Sequence, residues 1–262
     1  MNLEKLTHEV VRITGEVGKF IRKESENFSK EDAEIKGKND LVSYVDKTAE
    51  KMLVERLHDL LPEAGILAEE GTRKEAVIEW VIDPLDGTTN FIHGVPVYAI
   101  SVGLVEQGKT LLGNVLEIMR EESFFAWNEG GAYLNGAPIK VSQTRKISDS
   151  LISTGFPVQN FDKIDDYLKL VEKLIRNSHG IRRVGSAATD LAYVACGRYD
   201  AFFESSLKPW DVAGGAILIK EAGGTVTDYK GGDNYIYGKE ILGGGAVHAE
   251  LLSMVNEIWY PA

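Results

Sequence analysis

Apolar residues recur along this chain with two periods. Leu3, Leu6, Val10, Ile13, Val17, Phe20 and Ile21 fall at helical spacing, which predicts an amphipathic helix over 3–26. A polar, Lys-rich stretch, SKEDAEIKGKND at 29–40, reads as a loop or ribbon. A second helix is expected over 43–61, with Ala49, Met52, Leu53, Leu57, Leu60 and Leu61 inward and Pro62 ending it. The pattern then shortens to strands: AVIEWVI at 76–82, then 97–106, 110–118 and 123–127, joined by the turns QGK and MREE as an antiparallel meander. A hairpin over 133–141 turns at Asn135-Gly136, a type I′ signal. The last third alternates helices at 167–176, 186–196, 212–222 and 248–259 with strands at 199–204, 225–228 and from 240. Gly197 and the Gly223-Gly224 pair stop two of those helices. Helices flanking an antiparallel half and a mixed half predict an α+β fold in layers. The best boundary lies at 142–150, giving an N-terminal unit 1–145 and a C-terminal unit 146–262 within one compact whole.

Composition narrows the picture. At 262 residues and 44% hydrophobic, the chain can bury a sizeable core. Its 29 basic against 40 acidic residues leave a net charge of −11, which argues against a broad nucleic-acid surface. A phosphate-bearing small molecule stays possible, because bound cations invert the local field. One cysteine, Cys196, excludes an internal disulfide, and on an apolar helix face it reads as core. The five histidines are scattered, with no zinc-like spacing. MNLEKLTHEV lacks the apolar core of a signal peptide, and no apolar run approaches the roughly 18–20 residues of a spanning helix. A cytoplasmic protein without membrane contact is expected.

Candidate chemistry concentrates where elements end. In WVIDPLDGTTNFIH, residues 80–93, a strand leaves two carboxylates, Asp83 and Asp86, at its end. Pro84 fixes φ and removes a donor, so the chain turns there, and Gly87 permits a left-handed or closely approached backbone. Thr88-Thr89-Asn90 can open a helical turn whose free N–H groups face an anion. Hard oxygens beside an anion nest suit Mg²⁺, which takes carboxylates, waters and phosphate oxygens. Other candidates carry an ordinary reading beside a functional one. Glu69 and Glu70 follow a short run, GILA, and form a solvated turn, unless that run is a strand beside 76–82 and brings one Glu to the same pocket. Asp211 after Pro209-Trp210 reads as an N-cap. Gly214 and Gly215 cost a helix roughly 1 kcal/mol each, so they imply close packing by another element. Asp46, three residues after Ser43, fits a capping box. Lys36 is a solvated charge, Gly185-Ser186-Ala187-Ala188 a tightly packed helix entry and Glu204 a strand-edge acid, or each faces a ligand.

In this order the segments resemble the inositol monophosphatase family, Mg²⁺-dependent, lithium-sensitive phosphatases. The resemblance rests on WVIDPLDGTTNF at 80–91 and WDVAGGAILIKEAGG at 210–224. AEE at 68–70, KGKNDLVSYVD at 36–46 and RRVGSAATDLAYVACGRYDAFFE at 182–204 extend it over nearly the whole chain. Two departures, Ala68 where a Gly often precedes the Glu pair and a short connection over 71–79, remove no ligand position. The resemblance implies a layered αβαβα sandwich and a homodimer. It implies that Glu69, Asp83 and the Leu85 carbonyl hold one Mg²⁺, that Asp83, Asp86 and Asp211 hold a second, and that a weaker third sits near Glu69 and Lys36. Thr88, backed by Asp46 and with Glu69 alongside, would orient and help deprotonate the attacking water. The Gly87 and Thr88 amides would hold the phosphate. Asp86, Gly185, Ser186, Ala187 and Glu204 would contact the alcohol, with Glu70 behind the ligands.

The expected reaction is hydrolysis of myo-inositol 1-phosphate or a similar small polyol phosphate by metal-activated water. A fructose-1,6-bisphosphatase, a 3′(2′),5′-bisphosphate nucleotidase or a histidinol-phosphatase is the alternative within the superfamily. A non-catalytic, metal-stabilised binding protein is a different class, and the complete set of ligand residues speaks against it. A nucleic-acid module would need a basic stripe that the chain lacks.

Overall fold

Asn2 starts the first helix, α1 (Leu3–Ser25), by accepting the Lys5 amide at 3.0 Å. Its buried stripe includes Leu6, Val10, Ile13, Val17 and Ile21, as the spacing predicts. The computed structural model describes the chain except residues 30, 32, 38–39, 158–160 and 261–262, and the side chains of 35–41, so the Lys36 side chain lies outside the described residues. The ribbon reading holds for the described part of 29–40: β1 (Ala33–Gly37) pairs antiparallel with β2 (Asp40–Ser43). α2 (Tyr44–Leu60) begins with the expected capping box between Ser43 and Asp46. Val45, Ala49, Leu53 and Leu57 bury its apolar face, each large one contributing about 1.5–3 kcal/mol relative to exposure. Two acids, Asp46 and Glu50, are buried in that same stripe.

Eight strands form the larger sheet: β3 (Gly65–Ala68), β4 (Arg73–Lys74), β5 (Ile78–Asp86), β6 (Ala99–Glu106), β7 (Lys109–Glu117), β8 (Glu122–Trp127), β9 (Gly131–Leu134) and β10 (Ala137–Pro138), in the order β10-β9-β8-β7-β6-β5-β3-β4. From β5 to β10 neighbours run antiparallel, which is the expected meander. GILA is β3, and it lies parallel to β5. Strand β5 does not stop at Ile82. It continues through Asp83-Pro84 to Asp86, and a register shift against β6 between Asp83 and Asp86 absorbs the donor that proline lacks. A short helix, α3 (Thr88–His93), follows Gly87. Asn135 and Gly136 both have positive φ, 49° and 84°, as a type I′ turn demands.

A second sheet has the order β12-β11-β13-β15-β14, formed by β11 (Leu151–Thr154), β12 (Gly180–Arg182), β13 (Ala201–Ser205), β14 (Thr225–Thr227) and β15 (Glu240–Gly244). β11 is parallel to β12 and β13, and the remaining pairs are antiparallel. The helices of this half are α4 (Ile164–Asn177), α5 (Ala187–Ala195), α6 (Pro209–Glu221) and α7 (His248–Trp259). α6 starts three residues earlier than the pattern predicts, because a proline is well suited to the first helical position. Asp211 is therefore not the cap. It stands in the first turn and reaches back to accept the Lys208 amide at 2.6 Å.

The elements stack as an αβαβα sandwich. α1 and α2 cover one face of the large sheet, α5 and α6 fill the space between the sheets, and α4 and α7 cover the outer face of the small sheet. The helix glycines do report packing. A Cβ on Gly214 would stand 2.6 Å from Ser101 Oγ of β6, and one on Gly215 equally close to Leu191 of α5. On the sheet side, a Cβ on Gly113 would come within 2.3 Å of the Gly214 carbonyl. With side chains missing on both surfaces, α6 lies directly on β6 and β7, and its first turn faces the end of β5.

Candidate active site

Carboxylates from distant stretches meet at the end of β5. One oxygen each from Asp83, Asp86 and Asp211 lies within 4.8 Å of the others. Glu69 joins them within hydrogen-bonding reach of Asp83. The parallel pairing explains this: Ala68 stands opposite Ile82, so Glu69 and Asp83 leave their strands at one level. The Glu69 amide donates to the Ile82 carbonyl at 3.2 Å.

Each acid has its own restraint. Asp83 Oδ1 accepts the Leu85 amide at 2.9 Å. Asp86 Oδ2 accepts Ser186 Oγ at 2.6 Å and the Ala188 amide at 2.7 Å, placing its charge at the N-terminus of α5. Asp46 Oδ2 accepts the Ser43 amide at 2.8 Å and the Ser43 hydroxyl at 2.5 Å. Its other oxygen and the Leu85 carbonyl both lie 3.0 Å from Thr88 Oγ1. The single Thr88 proton goes to one of these acceptors, so the hydroxyl oxygen is free to accept from elsewhere. Gly87 makes the arrangement possible, with φ of 96° and a Cβ position only 3.1 Å from the Gly185 carbonyl. Asn90 fastens the same junction by donating to Val97 O at 2.7 Å and Val184 O at 2.8 Å.

This crowding has an electrostatic cost without counter-ions. Burial, then the charges of Glu69, Asp86 and Asp211, hold Asp83 far above the usual carboxylate range. Burial and the neighbouring Asp86 push Asp211 up to about 8. Burial pushes Asp86 up to about 6, against the pull of the Ser186 hydroxyl and the α5 amides. Asp46 is raised by burial, opposed by its Ser43 bonds. Donor chemistry indicates what would relieve the repulsion. The group offers hard oxygens, with no nitrogen or sulfur among the clustered residues, and this fits Mg²⁺.

Beside the acids opens a cavity of about 140 Å³, whose walls include Asp86, Phe156, Arg183, Ser186, Glu204 and Asp211. Burial, then the charge of Asp190, holds Glu204 well above its ordinary range. The Arg183 guanidinium lies 5.2 Å from the centre of the Phe156 ring.

The structure brings together the residues singled out from sequence: Asp46, Glu69, Asp83, Leu85, Asp86, Gly87, Thr88, Gly185, Ser186, Ala187, Glu204 and Asp211 all lie at this end of β5 or around the adjoining cavity. Ser186 is already engaged, capping α5 and bonding Asp86. Sequence reasoning missed Glu50, Arg183, Asp190 and the side-chain bonds of Asn90. For Glu50 a signal existed: an acid at helical spacing from Asp46 inside an apolar stripe asks for a buried partner. Asp190 likewise sits on an almost wholly buried helix, and burial holds its carboxyl far above the usual range.

The sequence profile described as the inositol monophosphatase family matches residues 2–260. Among curated proteins, Nus factor SuhB of Escherichia coli (strain K12) is 41% identical over 253 residues, covering 95% of each chain. A crystal structure of extragenic suppressor protein suhB from Bartonella henselae superposes with a TM-score of 0.90 at 34% identity, over 95% of this chain and 98% of that one. The Thermotoga maritima IMPase gives a TM-score of 0.87 at 35% identity, over 95% and 96%. With two signature segments meeting at one cluster of acids, and with likeness of this extent, the chain belongs to the inositol monophosphatase family.

Proposed function

We propose that this protein is a Mg²⁺-dependent phosphomonoesterase that releases phosphate from myo-inositol 1-phosphate or a similarly small polyol phosphate. The observation that carries the reading is the convergence of Asp83, Asp86 and Asp211, with Glu69 beside them. Bound there, two or three Mg²⁺ ions would offset the charge of the phosphate dianion and lower the pKa of the attacking water. Glu69, Asp83, Asp86, Asp211 and the Leu85 carbonyl would hold them. Thr88 would orient the water by accepting a hydrogen bond from it, and as Oγ1 takes the proton the water gives up it would pass its own proton to the Asp46 carboxylate, 3.0 Å away. The Gly87 and Thr88 amides bind phosphate oxygens. Glu204 and the Gly185–Ala187 segment face the alcohol, and a small cavity lined by acids suits polyol hydroxyls.

The family resemblance supports a cytoplasmic homodimer. Among the described residues no helix is long and apolar enough to cross a membrane. The name Nus factor carried by curated relatives supports a second reading, a binding role that needs no turnover. The intact acid cluster favours hydrolysis.

Phosphate release at equal Mg²⁺ from myo-inositol 1-phosphate, fructose 1,6-bisphosphate, adenosine 3′,5′-bisphosphate and histidinol phosphate tests the substrate. The inositol ester is expected to have the highest kcat/KM. Asp83→Asn is expected to lower it by about 10³-fold or more. Undiminished turnover in that variant overturns the metal assignment.

A further inference from the structure

Glu50 is 4% exposed and stands one helical turn beyond Asp46 on α2. Its carboxylate reaches the turn that follows β3. Oε2 accepts the Glu70 amide at 2.6 Å, and Oε1 accepts the Thr72 amide at 3.1 Å and the Thr72 hydroxyl at 2.6 Å. The turn closes on itself as well, with the Ala68 amide on the Thr72 carbonyl at 3.0 Å, and Gly71 supplies its left-handed residue at a φ of 111°. Without Glu50, the Glu70 and Thr72 amides would lose the carboxylate oxygens that accept from them. Glu69 is therefore fixed on both sides: its own amide is tied to β5, and the next amide is tied to α2.

We propose that Glu50 is the positioning residue that sets Glu69 against Asp83 and thereby sets the affinity of the site for divalent metal; the inference rests on the metal-dependent reading above. The geometry has a wider consequence. One helix carries both anchors, Asp46 for Thr88 and Glu50 for the Glu69 turn, so α2 fixes the spacing between the group that handles water and a group that holds metal. Residues behind metal ligands typically control affinity or activity by about 10–100-fold. Glu50→Gln keeps size and shape, but it turns an NH₂ toward N–H donors and cannot satisfy all three bonds.

The test uses the full chain, stripped of metal, with Mn²⁺ as the probe and free Mn²⁺ followed by its paramagnetic resonance signal. Glu50→Gln is expected to raise the Mn²⁺ Kd by about 10–100-fold. Its melting temperature in EDTA should fall by only a few degrees, the cost of a donor left without its acceptor, with the variant still folded at the assay temperature, and its KM for myo-inositol 1-phosphate at saturating Mg²⁺ should be unchanged. Thr72→Val, which removes one bond, should shift the Kd in the same direction by a smaller factor, and it decides the matter if Glu50→Gln does not fold. A folded variant with wild-type Mn²⁺ affinity overturns the inference. A loss of affinity no larger than the fraction of unfolded protein at the assay temperature accounts for also overturns it, because Glu50 would then be structural only. Wild-type protein that binds no Mn²⁺ would overturn the metal reading first and this inference with it, whereas Asp83→Asn losing Mn²⁺ while Glu50→Gln keeps it would overturn the inference alone.

Discussion

The two walls of the pocket are built on different principles. On the side of the proposed metal site, four acid side chains are tied to backbone or to an N-cap hydroxyl, Asp83 to Leu85, Asp86 to Ser186 and Ala188, Asp211 to Lys208 and Asp46 to Ser43, while Glu69 is held through its own amide on Ile82. These ties come from strand ends and helix starts, buried in the sandwich except at the exposed Lys208 that opens α6. On the side of the proposed alcohol site, Glu204, Arg183 and Phe156 line the cavity at the ends of β13, β12 and β11 of the small sheet, where Arg183 lies over the Phe156 ring. A group bonded to backbone moves only if the fold moves, while a group held by packing can be exchanged or turned. The chemistry is therefore expected to tolerate little, and the choice of alcohol to be adjustable.

The largest test of this contrast is Thr88→Val. It keeps the shape and removes the hydroxyl, so kcat should fall by about 10²–10⁴-fold, while Mn²⁺ affinity stays near wild type. A change in substrate preference instead would blur the division between the walls. A smaller effect is expected at Glu204. Glu204→Gln should raise KM for a polyol phosphate by about 10-fold and leave an aryl phosphate, which has no hydroxyls to bind, nearly unaffected. Equal losses on both substrates in steady-state assays would show that Glu204 belongs to the chemistry.

The smallest effect concerns stability without metal. Asp86 and Asp211 keep their protons up to about 6 and about 8 in the folded protein, whereas in the unfolded chain such groups lose them near about 4. The stabilisation this confers is complete below the unfolded value and is lost as pH rises through the folded ones. The melting temperature in EDTA should thus fall by several degrees between about pH 5 and about pH 8.5, less so in Asp211→Asn, and excess Mg²⁺ should flatten the slope. Calorimetry at constant ionic strength checks this, and a rise over that range would contradict the arrangement of charges.

Much of the metal wall was legible because its signals are local. A capping box and a glycine at positive φ each act within a few residues, and the structure bears them out, whereas the turn expected at Pro84 is a register shift inside β5, which runs on to Asp86. What stayed hidden depends on distant partners. β11 is four residues of LIST, too short to show a period, and it becomes a strand because β12 and β13 flank it. The spacing of Glu50 asks for a buried partner without naming it, and only the fold shows that the partner is the Thr72 turn. The pattern starts α6 three residues after its actual start at Pro209, since the Asp211 side chain looks the same as a cap and as a first-turn residue reaching back.

The glycine contacts that seat α6 carry a consequence for the integrity of the enzyme. Glu69, Asp83 and Asp86 precede the second sheet in the chain, whereas Asp211 arrives on a helix wedged between both sheets. The cage is thus finished only when the late-made portion of the polypeptide docks on the early one. A cation held by all four acids would therefore report that both portions have docked, and a fragment ending before α6 would lack Asp211.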